Sequence, residues 1–101
     1  NILKTVMFSI TLLFFACGES TDVVESGTYQ GTIKEVEPSK TEIYVETDDD
    51  QTLELYFSDN TELTRNGSTV EFSTLEEGMR VEVDVEKEGK RLNPLAVRVL
   101  E

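Results

Sequence analysis

The chain offers few residues that could carry out catalysis. It contains no histidine and a single cysteine, Cys17, so it lacks the paired nucleophile and base that covalent catalysis needs. Zinc sites built from cysteine and histidine are excluded for the same reason. Carboxylates are abundant, but acid–base catalysis needs two of them in unequal, shielded environments. We therefore expect no catalytic residue, no dedicated metal site and no cofactor, in a protein that is not an enzyme.

Three consecutive aspartates, Asp48–Asp50, are the pattern that most resembles a cation site. Hard cations such as Ca²⁺ are bound by several oxygen ligands. A calcium-binding EF-hand loop that began at Asp48 would need glycine at its sixth position, where this chain has Leu53. We interpret the aspartates as the charged tip of a hairpin.

Tyr44 and Tyr56 mark the best candidate for a ligand-binding face. Each tyrosine lies in a segment in which apolar and polar residues alternate, and Glu42 and Glu54 share its polar side. Aromatic rings of this kind can stack on nucleic-acid bases, but the glutamates beside them repel phosphate. The sequence thus predicts a possible ligand face of Tyr44, Tyr56, Glu42 and Glu54 that suits a neutral sugar or a peptide better than nucleic acid.

The elements that must position this face are β-strands. From Gly27 onwards apolar residues recur at every second position, the period of a strand with one buried side. Such alternation suits an antiparallel sheet around a single core. It occurs in five segments, whose apolar positions run over Tyr29–Ile33, Ile43–Val45, Leu53–Phe57, Val81–Val85 and Leu95–Val99.

The second and third of these segments can pair in only one register. Val45 must lie opposite Leu53, and Ile43 opposite Leu55, because a slip of one residue would bury glutamates. The loop between the two strands therefore has an odd number of residues and is centred on Asp48–Asp50. The same register places each tyrosine opposite a glutamate and makes the two tyrosines diagonal neighbours.

The region between the third and fourth strands has a different pattern. Asn66-Gly67 is a strong tight-turn signal and joins two short extended pieces, near Leu63 and near Val70–Phe72. Ser73–Glu76 matches the capping box that begins a helix, and we expect one short helical turn there, with Leu75 in the core.

This order of elements predicts the fold class. A helical turn between the third and fourth strands of a small barrel is typical of the OB-fold. We predict an all-β protein, a small five- to six-stranded antiparallel barrel, OB-fold-like, with one short helical turn. An SH3-like barrel is the alternative.

The first 17 residues differ in kind from the rest of the chain. Lys4 is their only charged residue, and all 21 acidic residues follow Cys17. The apolar stretch Thr5–Ala16 has about 12 residues, the length of a signal-peptide core. A transmembrane helix needs about 20 apolar residues. We therefore predict a cleaved signal peptide over residues 1–16.

The residues around Cys17 indicate how the mature protein is held. Leu12–Gly18 reads Leu-Leu-Phe-Phe-Ala-Cys-Gly and resembles the lipobox of bacterial lipoproteins, where a small residue precedes the cysteine that is lipid-modified. The resemblance implies lipidation at Cys17, an acidic tether over residues 17–26 and a barrel domain over residues 27–101. The implied location is the bacterial envelope, at the outer membrane on its periplasmic or surface face, with plain secretion as the alternative.

Several short motifs within the barrel segment carry a family resemblance. They resemble a family of small bacterial barrels that occur in exported proteins and are classed as domains of unknown function. The resemblance implies the fold and no activity, and it supplies no functional residues. The motifs are Gly27-x-x-x-Gly31-x-Ile33, Leu75-x-x-Gly78-x-x-Val81-x-Val83 and Ala96-x-Arg98-Val99.

These patterns together predict a non-enzymatic binding or interaction barrel on an envelope lipoprotein. Its expected partners are the membrane, through the lipid anchor, and a protein, peptide or envelope glycan. Nucleic acid is not expected. The alternative is a barrel that binds a cation or a small ligand such as a glycan, through the acidic hairpin and the face that carries Tyr44 and Tyr56.

Overall fold

The computed structural model describes residues 21–100, which form a seven-stranded sheet and two short 3₁₀ turns, Pro38–Lys40 and Phe72–Thr74. The strands lie in the order β3-β2-β1-β6-β7-β4-β5. Their bounds are β1 (Gly27–Glu37), β2 (Glu42–Thr47), β3 (Thr52–Tyr56), β4 (Glu62–Arg65), β5 (Ser68–Thr69), β6 (Arg80–Glu88) and β7 (Arg91–Val99).

The sheet curls into an open barrel. β3 and β7 are separated by three strands in the hydrogen-bonded order, yet they contact each other in space. All strand pairs are antiparallel except β4 and β7, which run parallel with Leu63 beside Val97. The predicted all-β, OB-fold-like barrel is confirmed. The five predicted strands are β1, β2, β3, β6 and β7, and the extended piece predicted near Leu63 is β4. The second piece, predicted near Val70–Phe72, is misplaced, because β5 is Ser68–Thr69 and Phe72 belongs to the 3₁₀ turn that follows.

The core lies inside this curl and consists of aliphatic side chains from the alternating positions. The predicted register of β2 and β3 is confirmed, because Val45 pairs with Leu53 and Ile43 with Leu55. Removal of these side chains from water is the main force that holds such a barrel together. The aliphatic residues that are no more than 1% exposed are Ile33, Ile43, Val45, Leu53, Leu55, Val81, Val83 and Val97.

An irregularity at Lys34 determines which residues of β1 face outwards. Ile33 before it and Glu35 after it pair with consecutive residues of β2, so Lys34 has no partner of its own in that strand. Two residues of one strand then lie opposite one residue of the other, as in a β-bulge. As a result Ile33 and Val36 both reach the core, while Glu35 and Glu37 lie on the outer face.

A second irregularity corrects one predicted core position. Asp84 pairs with Ala96, but the next residue of β6 pairs with Pro94, so Leu95 is skipped. Leu95 was predicted on the apolar side of the last strand, and it is 48% exposed. The alternation of the sequence did not reveal this bulge, because Leu95 and Val97 fit a regular strand equally well.

The predicted helical turn is present but forms differently. It is a 3₁₀ turn over Phe72–Thr74 with Glu71 as its N-cap residue, and no side chain caps it. The predicted capping box at Ser73–Glu76 is therefore wrong. The ring of Phe72 packs edge-on against Phe57 at 5.0 Å, and this contact accounts for the earlier start. Leu75 is 4% exposed in the core, as predicted.

The residues just before β1 pack against the barrel. The N–H of Asp22 donates to the carbonyl of Thr52 at 2.7 Å, and the Asp22 carboxylate accepts from the N–H of Thr52 at 2.9 Å. Val24 is 6% exposed and belongs to the core. The last residues of the predicted tether thus cover the outer edge of β3. Cys17 and the predicted signal peptide lie outside the described residues, and no helix between residues 21 and 100 is long and apolar enough to span a membrane.

Gly31 provides a test of the packing between β1 and β2. A Cβ atom at this position would lie 2.8 Å from Cγ1 of Val45 and 2.9 Å from the carbonyl carbon of Glu46. Gly31→Ala should lower the free energy of unfolding by about 1–3 kcal/mol, the usual cost of overpacking a core. Gly27→Ala, whose added Cβ would have its nearest neighbour at 3.7 Å, is the matched control. Equal losses in urea denaturation would contradict the register of β1 against β2.

Candidate functional site

Two rows of polar side chains cross the outer face of β1, β2 and β3. Residues that pair directly across strands have Cβ atoms about 4.5–5.5 Å apart. We call the six side chains in these rows the acidic tyrosine face. One row is Glu37, Glu42 and Tyr56, and the other is Glu35, Tyr44 and Glu54.

The sequence predicted four members of this face and missed Glu35 and Glu37. The predicted cross-strand pairs are confirmed, since Tyr44 lies opposite Glu54 and Glu42 opposite Tyr56. An unbroken strand would have directed Glu35 and Glu37 towards the core with Ile33. The one available signal was Val36, an apolar residue between two glutamates, which indicates that the alternation changes phase before it. That the face binds a ligand stays a prediction.

Glu42 is the most unusual residue of the face. Its side chain is fully buried, at 0% exposure, and neither carboxylate oxygen accepts a hydrogen bond within the described part of the chain. The hydroxyls of Tyr44 and Tyr56 donate to Oε2 of Glu54 instead, at 3.3 Å and 3.1 Å. A buried carboxylate without a partner is strongly unfavourable, so an ionised Glu42 is not satisfied by the groups around it.

The two carboxyl groups respond to each other. Burial raises the pKa of Glu42, and the hydrogen bond and like charge of Glu54 raise this pKa further, against smaller opposing effects of the tyrosine hydroxyls. The hydrogen bond from Glu42 lowers the pKa of Glu54 in spite of its partial burial, as do the hydroxyls of Tyr56 and Tyr44. This arrangement favours a neutral Glu42 that donates to an ionised Glu54.

Both tyrosines remain hydroxyl donors over the whole physiological range of pH. The hydrogen bond to Glu54 raises the pKa of Tyr56 to about 12. Burial is the main reason that the pKa of Tyr44 is raised well above its usual range, and the charges of Glu54 and Glu42 add to it. Neither hydroxyl can therefore supply negative charge to the face near neutral pH.

The neighbouring outer face of β6 and β7 is neutralised in a different way. Arg98 bonds Glu82 at 2.9 Å and Asp84 at 2.8 Å. Arg80 bonds Asp48 at 2.9 Å, so the first aspartate of the hairpin tip already has a cationic partner. By contrast, neither Glu42 nor Glu54 has an ion-pair partner among residues 21–100. Glu42 and Glu54 of the acidic tyrosine face thus have no cation within ion-pair distance in the described part of the chain.

A small cleft opens beside this face. Glu54 and Tyr56 form one side of it, Asp22 and Val23 another, and the turn between β6 and β7 contributes Lys90, Arg91 and Leu92. Its volume is about 90 Å³, enough for one small polar group or a few water molecules. Tyr56 is 44% exposed, so the cleft leads from solvent to Glu54, one member of the Glu42–Glu54 pair.

The fold is similar to that of solved structures of CusF from Escherichia coli. A Cu(II) form of a CusF variant and an Ag(I) form are each 13% identical to this chain with TM-scores of 0.59, and the matches cover 76% of this chain and 94% of CusF. Apo-CusF is 11% identical with a TM-score of 0.56, and the match covers 88% of this chain and all of the CusF chain. No protein-family model and no curated protein sequence matches. The likeness supports the small-barrel fold, and at this identity it shows the fold alone.

The state of Glu42 can be tested through stability. Because the pKa of Glu42 is raised in the folded protein, the folded state keeps a proton at pH values just above the ordinary pKa of 4.5, where the unfolded chain has lost it. The free energy of unfolding should therefore fall as the pH rises through the raised pKa. Glu54 has the opposite effect. Because its pKa is lowered in the folded protein, Glu54 stabilises the fold at pH values above the ordinary pKa of 4.5, and this stabilisation is lost as the pH falls through the lowered pKa. Glu42→Gln imitates the neutral form and should remove the loss at higher pH.

We expect Glu42→Gln to stabilise the protein at pH 8 by roughly 1–3 kcal/mol, the cost of a buried unsatisfied polar group. That corresponds to an increase of several degrees in Tm for a domain of this size. Glu46→Gln is the matched control, because Glu46 lies on the same face of β2 but is exposed. A Glu42→Gln variant that is less stable than the wild type at pH 8 would show that the ionised carboxylate has a favourable partner.

Proposed function

We propose that this protein is a non-enzymatic binding barrel held at the bacterial envelope, and that its acidic tyrosine face binds a basic segment of a protein partner. The observation that carries the proposal is Glu42, a fully buried carboxyl group without a donor, beside Glu54, which has no ion-pair partner among residues 21–100. A lysine or arginine side chain supplies both the positive charge and the hydrogen-bond donors that this pair lacks.

The chemistry of the face favours a cationic ligand. Tyrosine rings attract cations through their π faces. Tyr44 lies between two glutamates in its row, and Tyr56 lies at the end of its row, next to Glu42. The net charge of the chain is −12, which attracts basic partners over distances comparable to the screening length. Phosphate-bearing ligands are repelled by the same charge.

The surroundings of the face suit a protein partner. Tyr56 and Leu95 are 44% and 48% exposed and line one shallow depression together with Phe57 and Pro94. Interface centres combine aromatic and aliphatic groups with a few charged contacts at the edge. An extended segment with a basic and an apolar side chain would contact both the Glu42–Glu54 pair and this depression.

A free metal ion is the second candidate, because structures with the same fold hold Ag(I) and Cu(II) in CusF. Such ions favour cysteine, methionine and histidine ligands. This chain has no histidine, and Met79 is the one sulfur-containing residue between positions 21 and 100. The described residues also contain no group of three or more acidic, cysteine or histidine side chains that could hold a metal. These observations favour the basic segment over the metal.

Anchoring would place the face near a membrane. Thr21 lines the cleft and follows Cys17 by four residues, which span at most about 14 Å when extended. A protein lipidated at Cys17 would therefore present the cleft close to the lipid headgroups. The partner that we propose is accordingly a membrane-bound protein or one that approaches the membrane surface.

Hexalysine is a suitable probe of the face. The wild type should bind it saturably at low ionic strength, and Glu54→Gln should weaken binding about tenfold, equivalent to about 1.4 kcal/mol. Glu77→Gln removes the same charge from an exposed turn that contributes no side chain to the face and should weaken binding less than twofold. Isothermal titration calorimetry measures all three affinities. Equal losses in the two variants would mean that net charge alone binds the peptide, and the proposal would be wrong.

A calcium titration tests the second candidate. A ligand that binds only the folded state raises Tm by mass action. We expect no increase in Tm at millimolar calcium, for the wild type or for Asp49→Asn. An increase that Asp49→Asn abolishes would favour a cation site at the hairpin tip.

Lipidation of Cys17 has a direct test. In the native host the mature protein should partition into detergent, and intact mass spectrometry should show a blocked N-terminus at Cys17 with added lipid mass. Cys17→Ser removes the sulfur that would carry the lipid, so this variant should remain an uncleaved precursor or be released in soluble form. A free N-terminus at Glu19 without lipid mass would indicate plain secretion.

A further inference from the structure

The strongest unexplained feature of the molecule is the fully buried carboxyl group of Glu42, which has no hydrogen-bond partner in the described part of the chain and lies diagonal to the half-buried Glu54. We infer that Glu42 and Glu54 hold one proton between them, and that a cationic side chain bound at the acidic tyrosine face releases this proton to solvent. The second half of the inference rests on the proposed function. The first half concerns the free protein alone.

The geometry favours a shared proton. Glu42 and Glu54 are diagonal neighbours, because Glu42 pairs with Tyr56 and Glu54 lies two residues before it on β3. Diagonal neighbours on an antiparallel strand pair are within reach of each other when their side chains are long, as both glutamates are. Like charges this close in a buried site cannot both remain ionised without a cation. The two tyrosine hydroxyls both donate to Glu54, which leaves Glu42 as the carboxyl group that must carry the proton.

The other charged groups around the pair act in both directions. From β1, Glu37 lies opposite Glu42, and Glu35 lies opposite Tyr44. These carboxylates are on the same face and add no positive charge. Lys40 in the turn before β2 favours the ionised form of Glu54. The remaining charged groups line the cleft beside Glu54, and they are Asp22, Lys90 and Arg91.

The exchange balances in charge and in protons. The free pair is one neutral carboxyl group and one carboxylate, with a charge of −1. When an ammonium group enters, Glu42 gives its proton to solvent, and the ammonium donates to both carboxylates. The bound site then holds two negative charges and one positive charge, so its total charge is again −1. One proton is released for each cationic group bound.

The first experiment uses the free protein. Carbon-13 NMR of the glutamate side-chain carboxyl groups follows each protonation as a function of pH. One carboxyl group should titrate above the ordinary value of 4.5, and its signal should disappear in Glu42→Gln and remain in Glu46→Gln. In Glu54→Gln the Glu42 midpoint should move down, because the like charge is removed. A wild-type Glu42 midpoint at or below the ordinary value would overturn the inference, whatever the peptide does.

The second experiment follows the affinity for hexalysine between pH 5 and pH 8. The chain contains no histidine, and lysine side chains stay charged over this range. Below the Glu42 midpoint found by NMR, the affinity of the wild type should rise with pH, approaching tenfold per unit if one proton is released. Glu42→Gln should bind with no such rise, and Glu46→Gln should behave as the wild type does.

The outcomes separate the two proposals. A wild-type affinity that does not change with pH below the Glu42 midpoint overturns the proton release, while binding at the face stands. Failure of the wild type to bind hexalysine at any pH overturns the proposed function and the release with it, and the shared proton is then decided by the NMR titration alone.

Discussion

The strict alternation of side chains along a β-strand is the constraint on which the rest of this structure depends. In β2 and β3 it places an aliphatic residue inside and a glutamate or tyrosine outside at each step. The bulge at Lys34 changes the phase of β1 by one residue. Without it, Val36 would leave the core and two glutamates would enter it. The bulge therefore serves the core and the acidic tyrosine face together, because both depend on the same change of phase.

Charge on the outer surface is balanced by two different means. Over β6 and β7, Arg98 and Arg80 pair with carboxylates at distances near 2.9 Å. Over β2 and β3, hydroxyl groups and a proton replace the arginines. Ion pairs of the first kind are partly exposed and contribute little. The outer face of β2 and β3 encloses the carboxyl group of Glu42, which lacks hydrogen-bond donors once it ionises. Native proteins contain few buried groups of this kind, and each one calls for a structural or functional explanation. This difference between neighbouring faces is the physical basis of the proposed binding site.

The open side of the barrel adds to this arrangement. β3 is the end of the hydrogen-bonded order, and unpaired strand edges promote association with other chains. Asp22 covers part of this edge through two hydrogen bonds to Thr52, and Val24 joins the core. The segment that leads from Cys17 to β1 thus protects the edge of β3 and forms one wall of the cleft. Edge protection and access to the Glu42–Glu54 pair depend on the same few residues.

The sequence by itself determined the fold class, the β2–β3 register and the members of the face that lie on those two strands. It could do so because a two-residue period with one buried side admits a single pairing of Val45 with Leu53. Only the tertiary structure decided the rest. The bulges at Lys34 and Leu95, the parallel pairing of β4 with β7 and the 3₁₀ turn at Phe72 arise from contacts between segments distant in the chain. The burial of Glu42 was also decided only by the tertiary structure. Alternation along a strand shows which face of the sheet a residue lies on, but it does not show whether other groups cover that face.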